Sequence, residues 1–117
     1  MKILTMCRGG NSRSVGMAFL LKYKYNIDSL ACGWEKNNPD TLEMLFNWAD
    51  HILVMEDDFK KFIPEKFKNK LIVTDVGFDR WFSISKNLTD LCDSLIKDKL
   101  MNNVNRWIGN LTYCSCK

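Results

Sequence analysis

Nothing in this 117-residue chain approaches the roughly 20 consecutive apolar residues that cross a bilayer. Internal repeats and low-complexity stretches are also missing. The first residues lack the longer apolar core of a secretory signal, so the expected location is the cytoplasm, with no membrane partner. Histidine occurs once, as His51. It begins an apolar run, where a structural surface role is the ordinary reading. The five cysteines (Cys7, Cys32, Cys92, Cys114, Cys116) are an odd number, and their spacing fits neither a disulfide framework nor zinc knuckles, so most are expected as reduced thiols. Cys114 and Cys116 have no nearby histidine or second cysteine pair to complete a metal site, and are read as part of a frayed terminus. Neither sign of charge is scarce. The 17 basic and 14 acidic side chains leave a net charge of +3, which suits an anionic ligand without requiring nucleic acid.

A hydrophobic content of 46% is enough for one packed core, and a single domain over 1–117 with no linker is expected. Met1 to Met6 reads as a short buried strand followed by a glycine-containing turn. From Ser14 to about Tyr25, Val15, Ala18, Phe19 and Leu21 recur at helical spacing, with Ser14 placed to cap the first turn. "SLACGW" (Ser29 to Trp34) is a second strand, and Asn38-Pro39-Asp40 starts a helix through "TLEMLFNWA". "HILVM" (His51 to Met55) is a third strand. Glu56, Asp57 and Asp58 suit the first turn of a following helix with Phe59, Phe62 and Ile63 on its apolar face. "KLIVT" (Lys70 to Thr74) is the fourth strand, and Asp75 to Ser85 a loop rich in aromatics. A terminal helix carries Leu88, Cys92, Leu95, Ile96, Leu100, Val104, Trp107 and Leu111 on one stripe. Strands alternating with helices predict an α/β domain with a parallel sheet, in which ligands bind at the carboxyl ends of the strands.

The loop after the first strand reads "CRGGNSRS", Cys7 to Ser14. A strand-to-helix loop aims several backbone N–H groups and the positive end of a helix dipole at one point, which makes an anion site. Gly9 and Gly10 permit backbone conformations that bring amides close to a bound group. Arg13 offers a planar fork for two oxygens of a phosphate. Positive potential at the mouth of this cradle favours the thiolate of Cys7 as a nucleophile, and Ser14 is placed to donate a hydrogen bond to its sulfur. The chemistry expected is in-line attack of Cys7 on a phosphate monoester, with loop amides and Arg13 holding the charge on the equatorial oxygens. Arg8, Gly9, Gly10, Asn11 and Ser12 complete the substrate-binding loop.

At these residues the sequence resembles the low-molecular-weight protein tyrosine phosphatases, whose loop runs Cys-x-Gly-Asn-x-x-Arg-Ser after the first strand. It looks most like the short bacterial and phage branch. "WADHILVMEDDFKKFI" (Trp48 to Ile63) is similar to the family's "ADLIFVME" strand and following helix, and the acidic loop after the fourth strand is a third match. The resemblance implies a three-layer α/β sandwich, a four-stranded parallel sheet with helices on both faces and the phosphatase P-loop after strand one. It also implies no metal and no cofactor, and a two-step hydrolysis of phosphotyrosine or aryl phosphate through a phosphocysteine. The family's general acid falls on Asp79, with Asp75 as rival, and its aromatic cleft wall on Trp81. Where relatives carry the loop asparagine, a second loop cysteine, a proline after the serine and an Asp-Pro pair, this chain has Gly10, Ser12, Val15 and Asp79-Arg80.

Two arginines besides Arg13, Arg8 and Arg80, also fall in the proposed site loops, which would make the mouth cationic. The partner expected is a phosphorylated protein or small phosphate monoester acted on by a monomer. A nucleic-acid phosphate is possible, but no stacking motif supports it. The alternatives are a phosphocysteine carrier similar to phosphotransferase-system B domains, an arsenate reductase and a non-catalytic phosphate-binding module. Arg13 and Asp79 argue against the carrier, which has no leaving-group oxygen to protonate. The lone placement of Cys92 argues against the reductase.

Overall fold

The computed structural model describes residues 1–9, 12–76 and 86–101. Four strands, β1 (Lys2–Cys7), β2 (Asp28–Gly33), β3 (His51–Val54) and β4 (Leu71–Val73), form one parallel sheet in the order β2-β1-β3-β4. β1 is interior, pairing Lys2 to Cys7 with Asp28 to Gly33 on one side and Ile3 to Met6 with His51 to Val54 on the other. Ile3 through Cys7 are all buried. Since successive side chains point to opposite faces, both faces of the strand are covered, which is why it reads as a continuous run instead of an alternating one.

The first helix, α1 (Arg13–Tyr23), packs on β1 and β2 and against α3 (Lys86–Leu95). Its start corrects one expectation. Ser12, not Ser14, is the N-cap residue, and Ser14 lies buried within the first turn with its hydroxyl turned to Cys7. Phe19 is a second correction. It stands 50% exposed beside Tyr23, because the buried side of the helix follows Ser14, Met17, Ala18 and Leu21. Gly16 faces α3 closely enough that an added Cβ would sit 3.2 Å from Leu88 Cδ2. Asp93 on α3 accepts from Lys24 Nζ and Tyr25 Oη, both at 2.6 Å.

The second helix, α2 (Pro39–Trp48), begins as expected: Asn38 accepts from the Thr41 N–H at 2.8 Å and Pro39 occupies the first turn. The helix expected after β3 is instead a 3-10 segment, Asp57–Phe62, and a second 3-10 segment, Glu65–Lys70, follows it. Pro64 accounts for the break, since a residue before proline is pushed out of the helical region and Ile63 is extended there. The terminal stripe holds where it is described. Leu88, Cys92, Ile96 and Leu100 are buried, and α3 runs into a π-helical segment, Ile96–Met101. Val104, Trp107, Leu111, Cys114 and Cys116 lie outside the described residues. No described helix is long and apolar enough to cross a membrane.

Candidate active site

Cys7 is the last residue of β1, and the chain re-enters a helix six residues later at Arg13. This short return brings Cys7 Sγ to 3.1 Å from Ser14 Oγ, both atoms in buried residues. A hydroxyl that donates to sulfur favours its anionic form. Ser14 is itself held to the sheet, because Thr5 Oγ1 donates to its carbonyl at 2.6 Å.

Arg13 is 1% exposed, and a buried guanidinium requires a counter-charge. Glu56, two residues beyond β3, supplies it: Arg13 Nη1 donates to Glu56 Oε1 at 2.8 Å. The guanidinium also lies 5.3 Å from the centre of the Phe59 ring. Arg8 is exposed, pairs with Glu35 and sits 5.9 Å from the Trp34 ring. Its charge is thus matched by a neighbouring carboxylate, which offsets the cationic mouth expected of it.

A cleft of about 430 Å³ opens beside these groups, lined by Arg8, Arg13, Trp34, Glu56, Asp58, Phe59, Lys61 and Phe62. Trp34 and Phe62 are stacked, with centroids 4.0 Å apart and planes 13° from parallel, and Phe59 meets Trp34 edge-on at 5.8 Å. Pairing that continues past β2 builds this wall. The Trp34 N–H donates to the Cys7 carbonyl at 3.0 Å, and the Glu35 N–H to the Arg8 carbonyl at 2.9 Å. On the other side, the Met55 N–H donates to the Met6 carbonyl at 2.9 Å and delivers Glu56.

Of the site residues expected from sequence, the structure brings together Cys7, Arg13 and Ser14, with the buried Ser12 and partly buried Gly9 in the same loop and Arg8 at the rim. Gly10, Asn11, Asp79, Arg80 and Trp81 lie outside the described residues. Asp75 Oδ2 accepts from the Asp57 N–H at 3.3 Å, a bond that ties down the turn. Sequence reasoning missed Glu56, Trp34, Phe59 and Phe62 as cleft residues. Glu56 and Trp34 stand just beyond the strands flanking β1, so the strand order was the signal that would have found them.

The other described cysteines lack this setting. Burial pushes the Cys32 thiol up to about 12, with a further push from the nearby Cys7, and burial alone pushes Cys92 up to about 12. Both carry free thiols. The arrangement at Cys7 differs from theirs: its sulfur is hydrogen-bonded to the Ser14 hydroxyl at the carboxyl edge of a parallel sheet, on the loop that leads to the buried Arg13.

No family model matches the sequence, and no curated protein matches it. Solved structures do, and they define the class of fold as that of the low-molecular-weight phosphatases. One is the YwlE arginine phosphatase from Geobacillus stearothermophilus, with TM-score 0.62 and 19% identity over 96% of this chain and 93% of that one. A low-molecular-weight phosphotyrosine phosphatase from Vibrio cholerae O395 gives TM-score 0.62 and 20% identity, covering 92% of this chain and 96% of that one. The tyrosine phosphatase Wzb from Escherichia coli K30, solved with phosphate, gives TM-score 0.57 and 16% identity over 94% and 97% of the two chains. At these identities the likeness establishes a shared fold.

Proposed function

We propose that this chain is a cysteine-dependent phosphatase, a single domain that acts as a cytoplasmic monomer on a phosphorylated protein or small aryl phosphate. The observation that carries the reading is the 3.1 Å contact of Cys7 Sγ with Ser14 Oγ at the start of the helix that begins with the buried Arg13. Structures of the same fold include phosphatases with tyrosine- and arginine-directed names. Cys7 attacks phosphorus in line as the bond to the leaving oxygen breaks, and Asp79 delivers its proton to that oxygen. The loop amides from Arg8 to Ser12 and the Arg13 fork hold the equatorial oxygens. Water then attacks the phosphocysteine, Asp79 takes its proton, and phosphate leaves as Cys7 returns to a thiolate stabilised by the Ser14 hydroxyl. Trp81, with Trp34 and Phe62, walls the aryl group.

Hydrolysis of an aryl phosphate by the reduced protein tests this, across about pH 5 to 8. Cys7→Ser abolishes turnover, Arg13→Ala lowers kcat/KM by about a hundredfold or more, and Asp79→Asn loses rate mainly with poor leaving groups. Unchanged rates in Asp79→Asn would transfer the acid to Asp75. A native protein that binds phosphate or vanadate without turnover would replace the enzyme with a carrier or a binding module.

A further inference from the structure

We infer that Thr5 is a positioning residue for the nucleophile, acting through the first turn of α1. β1 is apolar from Ile3 to Cys7 except for one residue, Thr5, which is fully buried. Valine would fill the same volume in such a strand, so the hydroxyl needs its own explanation. Thr5 Oγ1 donates to the Ser14 carbonyl at 2.6 Å, while the Ser14 hydroxyl lies 3.1 Å from Cys7 Sγ. Ser14 is thus held at both ends by one strand, its carbonyl by Thr5 and its hydroxyl by the residue two positions further on.

A second bond of the same kind shows what the first adds. Ser29 Oγ, buried on β2, donates to the Ala18 carbonyl at 2.7 Å. Ala18 follows Ser14 by one helical turn, so hydroxyls from two adjacent strands grip two carbonyls on one side of α1. Each uses the lone pair that the helix ladder leaves over, so neither bond competes with helix formation. Together they set how far α1 slides along the sheet. Only the Thr5 bond ends on the residue that touches sulfur, so its loss shifts the Ser14 hydroxyl away from Cys7, whereas loss of the Ser29 bond loosens the helix a turn away.

The catalytic consequence rests on the proposed role of Cys7, but the test does not, since it reads the thiol directly. Iodoacetamide alkylation of Cys7 is followed by peptide mass analysis as a function of pH in native, Thr5→Val, Thr5→Ser, Ser29→Ala and Ser14→Ala proteins. Thr5→Val is expected to slow alkylation near neutral pH by about threefold, as the thiolate fraction falls. Thr5→Ser keeps the native profile. Ser29→Ala loses thermal stability comparably to Thr5→Val with the native profile intact. Adding Thr5→Val to Ser14→Ala changes nothing further, because the two act in series. Thr5→Ala, which cannot overpack, gives the same reading should the valine variant fail to fold. A native profile in both Thr5→Val and Thr5→Ala overturns the inference, and so does an equal change in Ser29→Ala. If the alkylation pattern holds but the native protein does not hydrolyse aryl phosphate, the positioning role stands and the phosphatase reading fails.

Discussion

Replacing Glu56 by glutamine keeps the shape of the side chain and removes the charge that faces Arg13. Arg13 is 1% exposed and Glu56 21% exposed, so the cation cannot turn to solvent while the carboxylate is partly wet. Breaking a fully buried pair costs about 3–5 kcal/mol; partial solvation of Glu56 and a residual amide hydrogen bond reduce this to about 1–2 kcal/mol. With an unfolding entropy of about 2.1 cal/mol/K per residue, 117 residues convert that loss to a melting temperature lower by about 4–8 °C. Urea and thermal unfolding of Glu56→Gln in native and Arg13→Met backgrounds isolate the pair. The loss is expected with Arg13 present, with an unchanged urea slope, and is expected to vanish once the cation is gone. An equal loss in both backgrounds would refute the idea that Glu56 serves as the counter-charge of Arg13. The same variant should lower kcat/KM for an aryl phosphate, because a guanidinium free to rotate no longer presents a fixed fork.

The remaining predictions concern the other titratable groups. Cys32 and Cys92, whose thiols are pushed up to about 12, should stay unlabelled by iodoacetamide at about pH 8 in the folded protein and react only on unfolding; labelling of either at the rate of Cys7 would contradict that upward shift. His51 is held below its ordinary value of 6.5 by burial, with Asp50 opposing and Lys70 reinforcing that shift. The folded state therefore takes up the proton later than the unfolded chain, so stability is full above about pH 6.5 and declines as pH falls below it. Denaturation at about pH 7.5 and about pH 5 should show a smaller acid loss in His51→Gln than in native protein. Equal losses would place the acid sensitivity elsewhere.

The parts of this site legible in the sequence are those that lie close together along it. Cys7, Arg13 and Ser14 share one loop and one helical turn, so residue type and spacing place them together before any tertiary contact is known. Glu56 and Trp34 reach the same cleft from positions far away in sequence, and only the order β2-β1-β3-β4 puts both beside Cys7. Glu56 reads as helix-end charge from the sequence, because an acidic cluster after a strand carries no sign of which cation it will meet. Periodicity marked α2 well, since Asn38 and Pro39 fix its start. It misplaced Phe19, because a two-turn apolar stripe leaves the buried side of a helix undetermined within one residue. It also expected an α-helix carrying Phe59, Phe62 and Ile63, where the chain forms a 3-10 segment, Asp57–Phe62, that ends before the residue preceding Pro64.

The central claim is that Cys7 becomes covalently phosphorylated during turnover. Acid quenching of the reduced protein with excess aryl phosphate, followed by mass analysis of the peptide containing Cys7, tests it most directly. The account predicts a phosphoryl increment on Cys7 that appears within the first turnover, is lost once the substrate is exhausted and builds up about a hundredfold more slowly in Arg13→Ala. Steady hydrolysis with no phosphoryl group ever found on Cys7 would contradict it.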